Sequence, residues 1–160
     1  MSHSSTWKLT ALLALLLGFS SCGREEAKKP VEAEKKFKIV TTVAPITSIV
    51  ENIAGDKADV AGVIPEGTNS HTFEPIPTDS KLLSSADLII FNGLDLETPT
   101  LKLAQANLKH GATIYTLGDK TIKEGEYVFD FSFPKEQGHP NPHLWLNPEY
   151  AMRYATLVRN

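Results

Sequence analysis

Four short apolar segments, rich in β-branched and other large aliphatic residues, follow one another along the chain. Segments of this length and composition are typical of buried strands, which we predict at residues 37–43, 58–64, 87–91 and 112–117. Helical patterns separate these segments, and no internal repeat is present. Strands that alternate with helices predict an α/β fold, in which a parallel sheet carries helices on both faces.

The helices between these strands are marked by their ends and by their apolar spacing. The first begins at Pro45, repeats apolar residues at helical spacing and ends at Gly55; its apolar face comprises Ile46, Ile49, Val50 and Ile53. A short helix is predicted at residues 78–85. A third takes Thr98 as its cap with Pro99 in its first position, and ends at the pair His110 and Gly111.

Regular patterning lapses after Leu117 and returns at a strong helix start. Asn147 is a suitable cap, and Pro148 and Glu149 belong in a first helical turn. The sequence ends at Asn160 inside this amphipathic pattern. We therefore expect residues 37–146 to form one lobe, residues 147–160 to begin a longer helix, and the sequence to be truncated.

The amino-terminal residues predict export. Lys8 precedes an apolar segment at residues 9–19 that is too short to span a bilayer, so residues 1–22 are interpreted as a secretory signal. Cys22 follows two serines, which resembles the lipobox of bacterial lipoproteins, where the cysteine is acylated; the alternative is an ordinary signal with an incidental cysteine. Residues 23–36 are highly charged and are interpreted as a tether.

Composition narrows the function without deciding it. The chain has 160 residues, a formal net charge of −3 and one cysteine. The weak negative charge gives no indication of nucleic-acid binding, and a single cysteine cannot form an internal disulfide. These values fit one domain of ordinary size.

Two loops carry the candidate chemistry. His71 lies in a turn-rich loop after the second predicted strand, and His143 lies just before the last helix, each between prolines and a large aromatic residue. Ligands in open α/β sheets bind beyond the carboxyl ends of the strands, and neutral imidazole is a common ligand of zinc and similar ions. Spacing alone also allows two ordinary loop histidines. A nucleophilic pair of Ser70 and His71 lacks any surrounding elbow motif.

At these residues the sequence resembles the metal-binding solute-binding lipoproteins of zinc and manganese ABC importers. The resemblance extends from about Phe37 to the end, and its motifs include Ala44-Pro45, residues 70–75 (SHTFEP), residues 85–97 (SADLIIFNGLDLE) and residues 143–148 (HLWLNP). The family often has Asp-Pro before each histidine, whereas this chain has Asn69-Ser70 and Asn141-Pro142.

The resemblance implies two similar α/β lobes joined by a long helix, with a divalent metal ion in the cleft between them. The amino-terminal lobe supplies two histidine ligands, which match His71 and His143. The other lobe would supply a carboxylate and a third ligand, and a histidine there would favour Zn²⁺ whereas a glutamate would favour Mn²⁺ or Fe²⁺. Glu74 is a candidate for orienting an imidazole. His139 is expected to be a solvated loop residue, with transient metal capture as the alternative.

The function implied is capture of zinc or manganese and delivery to the membrane permease of an ABC importer. The protein would be a non-enzyme, located in the periplasm or at the cell surface and attached to the membrane through a lipid anchor. Two rival functions stay open at this point. One is a metal-dependent hydrolase, which would need an open coordination position and a nearby acid or base. The other is a surface adhesin whose metal ion is structural.

Overall fold

A computed structural model describes residues 35–160, so the predicted signal, Cys22 and nearly all of the predicted tether lie outside the described residues. Within that range the chain forms four strands and five α-helices in the predicted α/β order. Their bounds are β1 Phe37–Thr41, α1 Ala44–Ala54, β2 Ala58–Gly62, α2 Pro77–Ser85, β3 Leu88–Phe91, α3 Thr98–Asn107, β4 Thr113–Thr116, α4 Leu117–Thr121 and α5 Pro148–Arg159. Single 3₁₀ turns occur at Glu124–Glu126, Lys135–Gln137 and Leu144–Leu146.

The four strands form one parallel sheet in the order β2-β1-β3-β4. Parallel crossovers are almost always right-handed, so the direction of each crossover fixes the face on which its helix lies. The step from β1 to β2 runs opposite to the steps from β2 to β3 and from β3 to β4. Helix α1 therefore lies on one face, together with α4 and α5, while α2 and α3 pack together on the other. The order reverses between β1 and β3, which makes their carboxyl ends the expected ligand crevice.

The core fills the space between the sheet and both helical layers. Its fully or almost fully buried side chains include Ile46 and Val50 of α1 and Ile89 and Phe91 of β3. Ile53, at the end of the predicted apolar face, is 36% exposed. The helical period thus identified the side of α1 that faces the core, where burial is complete at Ile46 and Val50 and partial at Ile49.

The predicted elements are present with corrected ends. Strands β1 and β2 each end two residues earlier than the apolar pattern predicted. The backbones stay close beyond these ends, because Val63 N and Ile64 N donate to the carbonyls of Thr41 and Thr42 at 2.9 and 3.0 Å. The prediction missed helix α4, which directly follows β4. An apolar run therefore marks burial, and it extends past the residues that pair as strands.

Helix α3 departs most from its prediction. Glu97, not Thr98, occupies the cap position, because the Thr98 hydroxyl donates back to the Asp95 carbonyl at 3.3 Å. The helix also ends at Asn107 rather than at the predicted His110-Gly111 pair. The chain becomes extended there, and the Lys109 ammonium then donates to the Ser85 carbonyl at 3.1 Å.

Helix α5 begins as predicted. The Asn147 side chain accepts a hydrogen bond from Glu149 N at 2.9 Å, which satisfies one of the free amides of the first turn. Tyr154 is fully buried, and α5 packs against α1, α4 and the 3₁₀ turn that follows His143. The helix therefore supports the segment that carries one of the two candidate ligands. None of the helices formed by residues 35–160 is long and apolar enough to cross a membrane.

Candidate metal site

The fold brings the two predicted ligands together. His71 comes from the loop after β2, and His143 comes from the segment just before α5, 72 positions later. Their Nε2 atoms lie 3.2 Å apart, and their ring centroids are separated by 5.1 Å with an interplanar angle of 55°. The two imidazoles therefore approach each other, as two ligands of one ion would have to.

The distance between the two nitrogens has a chemical meaning. Two ligands on a tetrahedral zinc ion, each with a Zn–N bond of about 2.0–2.1 Å, are separated by about 3.3 Å. The observed 3.2 Å between Nε2 atoms matches this separation. The same distance also suits a hydrogen bond between the rings, in which one imidazole donates and the other accepts. Coordination of one ion requires a lone pair on both Nε2 atoms, whereas the hydrogen bond requires a lone pair on only one of them.

Asn69 holds the His71 loop in place. Its Oδ1 accepts the backbone N–H of His71 at 3.0 Å, and its carbonyl accepts the N–H of Thr72 at 3.3 Å. Asparagine side chains commonly bond the backbone two residues later and so stabilise tight turns. The His71 side chain is exposed, so an ion can reach it directly from solvent.

Asn141 orients His143 in the same way and also contacts its ring. Asn141 Oδ1 accepts both the backbone N–H of His143 at 3.0 Å and a hydrogen bond from His143 Nδ1 at 2.8 Å. An amide oxygen can only accept, so Nδ1 carries the proton and the neutral ring leaves its lone pair on Nε2. Burial, and secondly the neighbouring His71, lower the pKa of His143, while Asp130 opposes this shift. His143 thus presents a neutral Nε2 toward His71.

Aromatic side chains surround the histidine pair. The Phe133 ring lies 5.5 Å, centroid to centroid, from both His71 and His143, and the Trp145 ring meets His143 edge-on at 5.2 Å. Trp145 and Phe73 both pack against the core and so support the lobe. Phe133 therefore lies beside both imidazoles.

A buried polar network lies directly beneath the His143 segment. Asn92, at the carboxyl end of β3, donates from Nδ2 to the Pro142 carbonyl at 2.9 Å and accepts from the Tyr154 hydroxyl at 2.8 Å. Glu97 accepts the backbone N–H of Asn92 at 3.0 Å and the hydroxyl of Thr42. The network thus joins β1, β3 and α5 at the point where strand order reverses, and fixes the residue before His143.

Two of these groups have shifted acidities. Burial raises the pKa of the Glu97 carboxyl, against the hydrogen bonds from Thr42, Asn92 and Gly93, which lower it. Burial, with nearby carboxylates, also raises the pKa of Tyr154, so its hydroxyl keeps its proton and donates it to Asn92. Tyr154 therefore remains a hydrogen-bond donor to Asn92 near neutral pH.

The other predicted site residues have different outcomes. Glu74 is exposed, and no hydrogen bond within residues 35–160 joins it to an imidazole; Asn141 occupies the orienting position instead. His139 is exposed, as expected, but its Nδ1 is bonded to Asp95 Oδ2 at 2.9 Å. Among residues 35–160, no group of three or more histidine, cysteine or acidic side chains is arranged to hold a metal ion.

Sequence reasoning missed several residues that shape the site. Asn92 was interpreted only as the end of a strand, Asp130 and Phe133 lie in a segment without regular pattern, and Glu97 was not recognised as a buried carboxylate. Phe133 alternates with Phe129 and Phe131, and this alternation is a signal that could have drawn attention to the segment. The partners of Asn92 are 50 and 62 positions away, so no local pattern reveals them.

Comparison with known proteins decides the family. Residues 39–160 match the model of the ZnuA family, described as the periplasmic component A of a zinc-uptake complex. The chain belongs to this family. This confirms the resemblance to metal-binding solute-binding proteins of ABC importers that the two histidine motifs carry.

The chain is similar to curated relatives along most of its own length. It is 34% identical over 147 residues to the metal ABC transporter substrate-binding lipoprotein FimA of Streptococcus parasanguinis. It is 36% identical over 149 residues to the manganese ABC transporter substrate-binding lipoprotein PsaA of Streptococcus anginosus. These matches cover 92% of this chain and 47% and 48% of the relatives, so the chain spans about half their length.

Solved structures confirm the fold. A manganese-bound periplasmic metal-binding protein from Candidatus Liberibacter asiaticus aligns with a TM-score of 0.66 and 30% identity, over 78% of this chain and 44% of that one. The zinc-bound AdcA of Streptococcus pneumoniae aligns with a TM-score of 0.61 and 26% identity, over 78% and 25%. The predicted parallel sheet flanked by helices is therefore the lobe architecture of these metal-binding proteins.

Proposed function

We propose that this chain captures a divalent transition metal ion, zinc or manganese, for import by an ABC transporter, and that His71 and His143 are two of the ligands. The observation that carries the proposal is the separation of 3.2 Å between their Nε2 atoms, which suits two ligands of one ion. The two imidazoles fill two positions of a four-coordinate shell. The remaining positions are left for water or for ligands outside residues 35–160.

The surroundings of the pair favour binding over catalysis. A hydrolytic zinc site keeps one open position beside an acid or base that can move a proton. The groups beside His143 are the rings of Phe133 and Trp145 and the neutral amide of Asn141, none of which serves as an acid or base near neutral pH. The chain accordingly acts as a binding protein and not as an enzyme.

The proposal is tested by metal titration and by growth. Calorimetric titration of zinc and of manganese into the chain is expected to show one ion per molecule, with modest affinity if only two protein ligands are present. A bacterial host that lacks the protein is expected to need added metal when a chelator is present, and the gene is expected to restore growth. Absence of binding by either ion, or turnover of a hydrolysable substrate, would contradict the proposal.

Acid is expected to release the ion. A histidine must lose its proton to coordinate, so protons compete with the metal below the histidine pKa. Because the pKa of His143 is lowered, this imidazole stays neutral to a pH below 6.5, the ordinary pKa of histidine. Protons therefore begin to compete with the metal ion at His143 at a more acidic pH than at an unperturbed histidine. Ring-proton NMR of the metal-free chain is expected to place the His143 midpoint below 6.5, and a midpoint above that value would contradict this interpretation.

The same proposal places the protein outside the cytoplasm on a lipid anchor at Cys22, from which it would deliver the ion to a membrane permease. The lipobox-like position of Cys22 after an apolar segment supports this anchor. Expression in a bacterial host is expected to yield a mature protein that begins with an acylated cysteine. Mass spectrometry checks this, with Cys22→Ser as the control; an unmodified amino terminus elsewhere would reject the anchor.

A further inference from the structure

One exposed carboxylate connects both sides of the histidine pair. Asp130 Oδ1 accepts the backbone N–H groups of Ser132 and Phe133 at 2.8 and 3.0 Å. The Asp130 and Phe133 backbones also bond each other in both directions, at 3.0 and 3.1 Å. This closed turn presents the Phe133 ring to His71 and His143.

The second oxygen of the same carboxylate reaches Asn141. Asn141 Nδ2 donates to Asp130 Oδ2 at 2.6 Å, which leaves Asn141 Oδ1 facing the backbone N–H and Nδ1 of His143. A carboxylate can only accept hydrogen bonds, so it fixes which end of the amide faces it. The hydrogen bond from Asn141 is also the main cause of the lowered pKa of Asp130, which keeps this group an anion.

We propose that Asp130 is a positioning residue of the metal site, which sets the Nδ1–H tautomer of His143 through Asn141 and holds Phe133 beside both imidazoles. The proposal rests on the proposed function, because a ligand role for His143 Nε2 gives the tautomer its purpose. Groups that orient a histidine ligand typically change metal affinity about 10- to 100-fold when removed. Because Asp130 is exposed, we expect an effect near the lower limit.

Asp130→Asn tests the carboxylate without changing its size. The new amide oxygen can still accept from Ser132 N and Phe133 N, but its NH₂ group then faces the NH₂ group of Asn141. If the Asn141 amide turns to relieve this contact, it presents its NH₂ group to His143 Nδ1, and the ring proton moves to Nε2. We expect the variant to gain Nε2–H tautomer and to bind zinc about tenfold more weakly.

The exchange variant Asp130→Asn/Asn141→Asp provides the rescue. The amide introduced at position 130 would donate to the carboxylate introduced at position 141. That carboxylate would accept from His143 N and Nδ1, so each donor again meets an acceptor at the same net charge. We expect this double variant to recover the Nδ1–H tautomer and most of the zinc affinity. Asn141→Asp alone places two carboxylates where the bond of 2.6 Å now lies, and is expected to bind worse than the exchange variant.

The measurement is ¹⁵N NMR of the imidazole nitrogens in the metal-free chain at mildly alkaline pH, with the His143 signals assigned from their loss in His143→Gln. Zinc titration follows on the same samples. Glu126→Gln is the matched control, because Glu126 also closes a turn by accepting a backbone N–H, from Lys123 at 3.0 Å, without contacting either histidine. This control is expected to match the wild type in tautomer and affinity.

The outcomes separate this proposal from the proposed function. An unchanged His143 tautomer in Asp130→Asn, or an exchange variant that fails to fold or to recover the Nδ1–H form, would overturn the role of Asp130. If Asp130→Asn itself fails to fold, the exchange variant decides alone. A wild-type chain with the Nδ1–H tautomer that binds no zinc would count against the metal function and leave the positioning of His143 intact.

Discussion

Replacement of either His71 or His143 by alanine is expected to weaken zinc binding about 100-fold. Structural zinc sites with four protein ligands bind with about 10–16 kcal/mol, so one ligand contributes about 3 kcal/mol. A loss of that size corresponds to about two powers of ten in the dissociation constant. The two substitutions should act alike, because the Nε2 atoms approach the same point.

The control for this experiment is His110→Ala. His110 is also an exposed histidine, but it lies beyond the end of α3, and its replacement is expected to leave zinc affinity unchanged. Unfolding midpoints of the metal-free proteins show whether an alanine variant has lost its fold; because His71 is exposed, we expect a change within about 0.5 kcal/mol for His71→Ala. If either ligand variant binds zinc as tightly as the wild type, the ligand assignment is wrong.

The fold could be predicted because local patterns and buried surfaces coincide. The β3 segment is apolar throughout and is buried on both faces of the sheet, so its composition alone identifies it as a strand. The Asn147 cap and the proline that follows it define the start of α5 by backbone chemistry that needs no tertiary contact. Such signals can be recognised in the sequence because each depends on residues only a few positions apart.

The site geometry could be predicted only in part. The position of His71 after a strand indicated the correct edge of the sheet. His143 was a candidate from its loop, and the family resemblance matched both histidines to ligands. The roles of Asp130 and Phe133 depend on a segment whose only regular structures are short 3₁₀ turns. Its shape follows from side chains that bond the backbone, such as Asp130 with Ser132, and not from a repeating pattern.

The segment after β3 shows why the burial of Glu97 was not predicted. Gly93, Leu94 and Asp95 all have positive φ angles, of 84°, 54° and 62°, which a leucine rarely adopts. Leu94 is nevertheless buried, and its N–H donates to Asp119 Oδ1 at 3.3 Å, while Glu97 accepts the N–H of Gly93 at 3.2 Å. Tertiary contacts therefore hold a backbone conformation that local preference disfavours, and the Glu97 carboxylate lies buried among these contacts.

Asn92→Ala is expected to destabilise the chain by about 3 kcal/mol or more, the largest stability loss that we predict for one polar side chain. The Asn92 side chain is fully buried and makes hydrogen bonds to Gly93, Pro142 and Tyr154. Its removal leaves the Pro142 carbonyl and the Tyr154 hydroxyl without this partner, each at about 1–3 kcal/mol, and adds a small cavity. Urea unfolding of the metal-free protein, followed by circular dichroism, measures the change.

The same substitution should also weaken the metal site, because Asn92 holds the carbonyl of Pro142, the residue before His143. Asn52→Ala is the matched control: Asn52 donates to the Ser48 carbonyl at 2.8 Å within α1, but it is exposed, so we expect a loss below about 0.5 kcal/mol.

Tyr154→Phe removes only the hydroxyl and leaves Asn92 Oδ1 without its donor, so its stability loss should fall between those of Asn92→Ala and Asn52→Ala. Equal stability of Asn92→Ala and Asn52→Ala would show that the buried network does not stabilise the lobe, and an unchanged zinc affinity in Asn92→Ala would show that it does not position His143.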